Sequence, residues 1–209
     1  MVIKIELSYI YKYPLIMVAN AHFTKYPSDK EKFVKKLELK EVQEDSKQWT
    51  TYRRSIAHCL NPIPGILRRI PVLNEPAILL EEESWLNCRE KELSLKSKNL
   101  TWETYASLRE QSVFRPHAEN PDWTVMAQEG IIDIHGIGPF GRVIEMFAET
   151  FLYAGIRRGF AIMEDRLMEM KDTNSFEDNL NKKEVVSTKA APPQIVFPSL
   201  SDFHLILFC

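Results

Sequence analysis

Over the first eleven positions, MVIKIELSYIY, apolar and polar residues alternate with period two. Ile3, Ile5, Leu7 and Tyr9 share one parity, and Val2, Lys4, Glu6 and Ser8 the other. This is the pattern of a strand with one buried face. Pro14, suited to a first helical turn, then opens PLIMVANAHFTKY, where Ile16, Ala19 and Phe23 lie at i, i+3 and i+7. Tyr26-Pro27 ends that helix, because proline disfavours a helical residue before it. Strands are predicted over 33–44 and 48–60, joined by the polar turn Asp45-Ser46-Lys47, and Asn61-Pro62-Ile63-Pro64-Gly65 is a clear break. One short helical turn is expected over 66–70, closed by Pro71, followed by strands over 77–86, 91–100, 102–115 and 122–135, with a turn at Asn120-Pro121. About seven strands with few helices between them imply an antiparallel meander, not βαβ units.

A long helix is predicted over 140–170. Ile144, Phe147, Phe151 and Ala154 step by three, four and three, and further steps of four land on Arg158 and Ile162. A long helix with one apolar stripe, following an antiparallel sheet, lies across that sheet. The fold class is α+β: a seven-stranded antiparallel sheet packed with a long C-terminal helix. The folded unit is expected to span 1–170, with 171–209 an appended, polar and flexible tail ending in the apolar but short FHLILFC.

Composition narrows the function classes. The 209 residues are 44% hydrophobic and 27% charged, with 27 basic against 29 acidic side chains and a net charge of −2. There is no global positive field for nucleic acid, so no nucleic-acid partner is expected. No apolar run reaches the length of a transmembrane helix. The charged, alternating N-terminus fits neither a secretory signal nor an Arg-rich cleavable presequence. Cys59, Cys88 and Cys209 form no CxxC and no Cys/His spacing, so neither a disulfide framework nor a metal site is expected.

Catalytic signals are weak. Gly136-Ile-Gly138-Pro-Phe-Gly141 matches GxGxxG, but Pro139 removes a donor where a pyrophosphate would sit, and no later strand supplies a ribose-binding acid. The glycines read as a strand-to-helix turn. There is no GxSxG, HExxH or P-loop, and the five histidines are scattered, so no catalytic residue, cofactor or enzymatic activity is expected. On a strand, Glu81 and Glu83 face one way and Glu82 the other: a solvated face with one inward acid. Basic residues gather at Lys25, Arg53, Arg54, His58, Arg68 and Arg69, and Arg158 falls on the apolar stripe of the long helix. A charge there is costly without a partner. The bland reading is separate surface ion pairs; the functional one is a site for an anionic group at the mouth of an apolar cavity.

Several strings then carry a resemblance: Tyr11-Lys-Tyr-Pro14, Lys25-Tyr-Pro27, Ile66-Leu-Arg-Arg69, Leu80-Glu-Glu-Glu-Ser-Trp-Leu-Asn87, Leu100-Thr-Trp102 with Tyr105-Ala-Ser107, and Glu119-Asn-Pro-Asp-Trp123. Over about residues 1–170 the chain resembles the PRELI family of phospholipid transfer proteins of the mitochondrial intermembrane space, most like the PRELI domain-containing protein 2 subgroup. The resemblance implies a sheet curved around a lipid pocket, a mobile lid near 61–70, and phosphatidic acid or phosphatidylserine as cargo. It also implies transient contact with membrane surfaces and a small disulfide-stapled helical partner. Lys25 matches the family's basic residue before Tyr-Pro, and His58 lies near the basic position before the lid. Some phosphatidic-acid carriers have lysines and an asparagine on the last helix, where this chain aligns Ala148, Leu152 and Gly155.

A diacyl lipid exposes roughly thirty methylenes at about 0.8 kcal/mol each, so a cavity that replaces water around them speeds exchange between membranes. The expected headgroup ligands are Lys25, Arg54, His58 and Arg158. Ile144, Phe147 and Phe151 are expected to line the pocket, and Pro62, Ile63, Pro64, Gly65, Ile66 and Leu67 to form the lid, with Ile63, Ile66 and Leu67 touching the bilayer. A non-transferring lipid sensor or protein-binding scaffold of the same fold is the alternative.

Overall fold

The computed structural model describes residues 2–29, 31–135 and 153–173. Seven strands form one antiparallel sheet: β1 (Val2–Tyr11), β2 (Val34–Asp45), β3 (Thr50–Leu60), β4 (Ala77–Asn87), β5 (Glu92–Asn99), β6 (Ala106–Pro116) and β7 (Thr124–Ile134). Their spatial order is β1-β7-β6-β5-β4-β3-β2, so β2 to β7 make an uninterrupted meander and β1 closes back on β7. The helix α1 (Leu15–Thr24) follows β1, with Pro14 at its N-cap, and a second helix, α2, runs over 153–173.

The period-two reading of β1 holds: its burial alternates, with Ile5 and Tyr11 buried on one parity. The strand predicted from 102 begins only at Ala106, because Trp102 has φ 67° and its carbonyl accepts from Tyr105 N at 2.7 Å, a tight turn. Asn99 pins that turn: its amide donates to Thr101 O (2.7 Å) and Ala106 O (2.8 Å) and its carbonyl accepts from Leu108 N (2.6 Å). The predicted hairpin turn at Asp45 forms as an Asx turn, Asp45 Oδ1 accepting from Lys47 N (2.9 Å) and Gln48 N (3.1 Å). Of the cysteines, Cys59 is free and half-buried.

Two apolar clusters sit on the inner face of the sheet. The larger joins Tyr11, Leu86, Leu93, Leu95, Phe114 and Met126 from the strands to Val18 and Ala19 of α1 and Met163 and Leu167 of α2. Arg166 of α2 donates to Thr24 Oγ1 at 3.1 Å, tying the two helices. The smaller cluster joins Ile63, Leu73 and Ile134, with Leu67, Ile70, Trp102 and Ile132 packed against it. The helical stripe predicted for the long helix is continuous as far as it is described: Ile162 is buried and Arg158 half-buried. Ile144, Phe147, Phe151, Ala148, Leu152 and the glycine turn at Gly136–Gly141 lie outside the described residues.

Candidate functional site

Between the two clusters, the inner face changes character. Cross-strand pairing fixes which residues share it. One row runs Ser55↔Glu82↔Ser97↔Glu110↔Gly130↔Ile5, and the next runs Arg53↔Ser84↔Leu95↔Ser112↔Gln128↔Leu7. Leu95, Leu86 and Ile5 on this parity belong to the core, so Arg53, Glu82, Glu110 and Gln128 point inward with them. Glu82 is thus the inward acid of its run, as alternation predicts, while Glu81 pairs with Lys98 and Arg54 on the outer face.

The sequence places α1 so that its last turn meets this row. His22, 7% exposed, sits between Glu82 and Lys25: its Nε2 is 2.9 Å from Glu82 Oε1, and Lys25 Nζ is 3.0 Å from its Nδ1. An ammonium can only donate, so Nδ1 accepts and Nε2–H donates to the carboxylate. This chain of three fixes the neutral imidazole tautomer. Burial, then the nearby Lys25 ammonium, push the His22 pKa down, consistent with that tautomer. Burial likewise lowers the Lys25 pKa, against the pull of Glu82 and Glu110. Burial raises Glu82, but His22, Lys25 and Arg53 outweigh it and bring the carboxyl down to about 2. Glu110 goes the other way: burial, helped by the like charge of Glu82, raises its pKa although Gln128 Nε2 donates to its carboxylate.

Arg53 stacks its guanidinium over Phe23, 4.3 Å from the ring centroid. Neither Arg53 nor Lys25 makes a direct carboxylate ion pair among the described residues; Lys25 meets His22 and the Tyr26 ring. Above Gly130, which is buried, a Cβ would meet nothing within 4 Å, so the sheet centre beside Glu110 faces open space. Ala57, Leu80 and Leu108 share the inward parity and are only half-buried. The arrangement is a partly open recess in the inner face, with two carboxylates and two cations that make no direct ion pair among the described residues.

The predicted headgroup residues do not all gather there. Lys25 does. Arg54 and His58 project from the opposite face of β3: Arg54 bonds to Glu41 (3.2 Å) and Glu81 (3.3 Å), and His58 lies 3.5 Å from Glu38. Adjacent strand residues point to opposite faces, so once Arg53 faces inward Arg54 cannot. Arg158 sits on α2 over the Phe33 ring at 4.9 Å, with its Nε 4.0 Å from Glu31, whose side chain is 7% exposed. That carboxylate is the anionic neighbour that the apolar stripe required. Gly155 lies beside it, an added Cβ there coming within 3.9 Å of the Arg158 guanidinium.

The segment after β3 is more tied than a free loop. Asn61, buried, donates to Leu73 O (2.9 Å) and Glu75 O (2.8 Å) and accepts from Ile63 N (2.9 Å), and Arg68 donates to Ile63 O (2.7 Å) and Asn61 O (2.6 Å). Ile63 is a core residue at 5% exposure, so it is not a surface for the bilayer; Leu67 packs against the same cluster. Ile66 stands at the tip, 73% exposed beside exposed Pro64 and Gly65, while Pro62 is half-buried. A groove of about 400 Å³ on the outer face is lined by Glu81, Glu83, Lys96, Lys98 and Arg109, and Ser97 and Glu110 border it as well. Its charges pair across strands, as on a solvated surface.

His22, Glu110 and Gln128 were not expected in the site, and Arg53, although in the basic cluster, was not among the expected headgroup ligands. β3 carries no amphipathic alternation to select Arg53 over Arg54. The available signal was indirect: Glu82 is inward by alternation, and antiparallel pairing transfers that parity to β3.

Comparison with known proteins fixes the family. Residues 17–173 match the model described as the PRELI-like family, and the chain belongs to that family. It is 25% identical over 167 residues to the protein slowmo homolog of Dictyostelium discoideum, covering 79% of this chain and 71% of that one. It is 23% identical over 204 residues to a CRAL-TRIO domain-containing protein of Caenorhabditis elegans, covering 95% of this chain but only 28% of that longer protein. Among solved structures, TTHA0849 from Thermus thermophilus superposes with TM-score 0.51 at 13% identity, covering 80% of this chain and 99% of that one. The di-domain ARO/CYC StfQ from the steffimycin biosynthetic pathway does so with TM-score 0.52 at 12% identity, covering 82% of this chain and 52% of that one. These two likenesses establish the shared fold alone.

Proposed function

Taking the PRELI-like family as the premise, we propose that this protein carries phospholipid between membranes. It extracts an anionic phospholipid, phosphatidic acid or phosphatidylserine, into the recess between the sheet and α2. One observation carries the reading: Lys25 and Arg53 face inward in an apolar interior, and among the described residues neither is spent on a direct ion pair. Lys25 meets only a neutral imidazole and the Tyr26 ring, and Arg53 a ring face; a desolvated cation is better satisfied by an anion in direct contact, and a phosphate supplies it. The acyl chains then occupy the apolar surface on either side. The protein performs no covalent chemistry and needs no cofactor or metal in this reading. Ile66 at the exposed tip of the segment after β3 touches the bilayer, and movement of that segment admits the lipid. The working place is the mitochondrial intermembrane space, with a small disulfide-stapled helical protein as partner.

The test is transfer of fluorescent phosphatidic acid and phosphatidylserine from donor to acceptor vesicles, with native mass spectrometry of the purified protein for occupancy. Bound lipid and transfer above the protein-free rate are expected. An empty protein with no transfer refutes the carrier. A lipid-bound protein that transfers nothing is the sensor or scaffold, the reading favoured by Gly155 on α2, where no side chain reaches toward a headgroup.

A further inference from the structure

The charges on the inner face are of both signs. Lys25 and Arg53 lie within electrostatic reach of Glu82, and Lys25 also of Glu110. Glu82 and Glu110 occupy one row, separated by the small side chain of Ser97, and Gly130 leaves open space beside Glu110. Glu82 is committed to His22 (2.9 Å). Glu110 is held by an amide donor alone, Gln128, and makes no ion pair among the described residues.

We propose that Glu110 is a specificity-determining residue, its carboxylate accepting a primary ammonium while Lys25 and Arg53 take the phosphate, so that the recess selects a phospholipid headgroup carrying both groups. This deepens the carrier reading and depends on it. The physical reason is charge matching at short range. A bare phosphate monoester would bring one to two further negative charges against two carboxylates already in the recess, a repulsion that is strong where water is scarce. A headgroup with phosphate and ammonium sets its phosphate on a cation and its ammonium on Glu110, and the extra carboxylate of phosphatidylserine falls to the second cation. The groups facing the site are His22 from α1, Lys25 at its C-cap, Arg53 from β3, Glu82 from β4, Glu110 from β6 and Gln128 from β7. Gln128 holds the carboxylate in orientation, and Ser97 and Gly130 leave room for the amine beside it.

The full chain is incubated with mixed vesicles containing equal phosphatidylserine, phosphatidylethanolamine, phosphatidylglycerol and phosphatidic acid, and retained species are identified by native mass spectrometry. Phosphatidylglycerol is the control, since it has the single phosphate charge and no amine. The amine-bearing lipids are expected to be retained about tenfold or more over the other two, while deacylated glycerophosphoethanolamine at equal concentration is not retained. Glu110→Gln is expected to erase that preference. A wild-type preference for phosphatidic acid or phosphatidylglycerol, retention of the deacylated compound, or a preference unchanged in Glu110→Gln overturns the assignment. The wild-type selectivity decides the matter if the variant does not fold. Absence of any bound lipid in the wild type fails the carrier reading itself, an outcome distinct from a lipid-bound protein with the wrong selectivity.

Discussion

Replacing Arg53 and Arg54 with alanine, one at a time, separates two side chains that are neighbours in sequence and opposite in space. Arg53 faces the recess over Phe23, whereas Arg54 lies on the outer face between Glu41 and Glu81. If the phosphate is held by Arg53, the variant loses one charge-assisted hydrogen bond, about 1.5–3 kcal/mol, which is roughly a 10–150-fold loss in lipid affinity. The fold itself should tolerate the change. Losing the guanidinium from the Phe23 ring costs about 0.5–2 kcal/mol, and relief from holding a half-buried charge offsets part of it. Arg54→Ala removes only partly exposed ion pairs on the outer face, away from the recess, so affinity and transfer rate stay at the wild-type level. The assay is vesicle-to-vesicle transfer across a lipid titration, with melting temperatures of both variants as the folding control. Equal loss in the two variants, or loss in Arg54→Ala alone, refutes the placement of the headgroup on the inner face.

Four further outcomes are expected. Ile63→Ala should destabilise the protein by about 2–5 kcal/mol, because it opens a cavity in the smaller cluster, whereas Ile66→Asp should leave the melting temperature unchanged and reduce vesicle co-sedimentation; the converse pattern removes Ile66 from membrane contact. Asn61→Ala breaks three hydrogen bonds to buried backbone and should cost about 1–3 kcal/mol in a urea titration, with faster amide exchange over 61–75. Gly130→Leu fills the open space beside Glu110 and should lower lipid occupancy by native mass spectrometry without lowering stability; unchanged occupancy means that the lipid does not lie there. For pH, the His22 value is depressed from 6.5 by burial, so the unfolded chain binds more protons and stability falls as pH drops below about 6.5. Glu110, raised from 4.5, has the opposite sign and adds stability over the pH range below its folded value. In Glu110→Gln that offset is absent, so urea midpoints should fall more steeply between pH 6.5 and 4.5 than in the wild type; equal slopes contradict the raised value.

Much of the architecture is legible in the residues because local patterns carry it. The alternation in β1 and β5 and the proline and Asx punctuation between elements give the seven-stranded meander. Alternation also gave Glu82 its inward direction, because parity within one strand is a covalent fact. What the chain alone left undecided is where strands meet. β3 is flanked by β2 and β4, and its outer face is covered by ion pairs to Glu41 and Glu81, so both of its faces are equally half-buried and no hydrophobic signal marks the inner one. Its parity follows only from the register Ser55↔Glu82, which the pairing sets. Ile63 in a proline-rich break likewise reads as a surface loop residue until Leu73 and Ile134, distant in sequence, are packed on it. The row joining Glu82 to Glu110, and the placing of His22 and Lys25 over it, are tertiary facts: they depend on contacts between segments tens of residues apart, which no local period encodes.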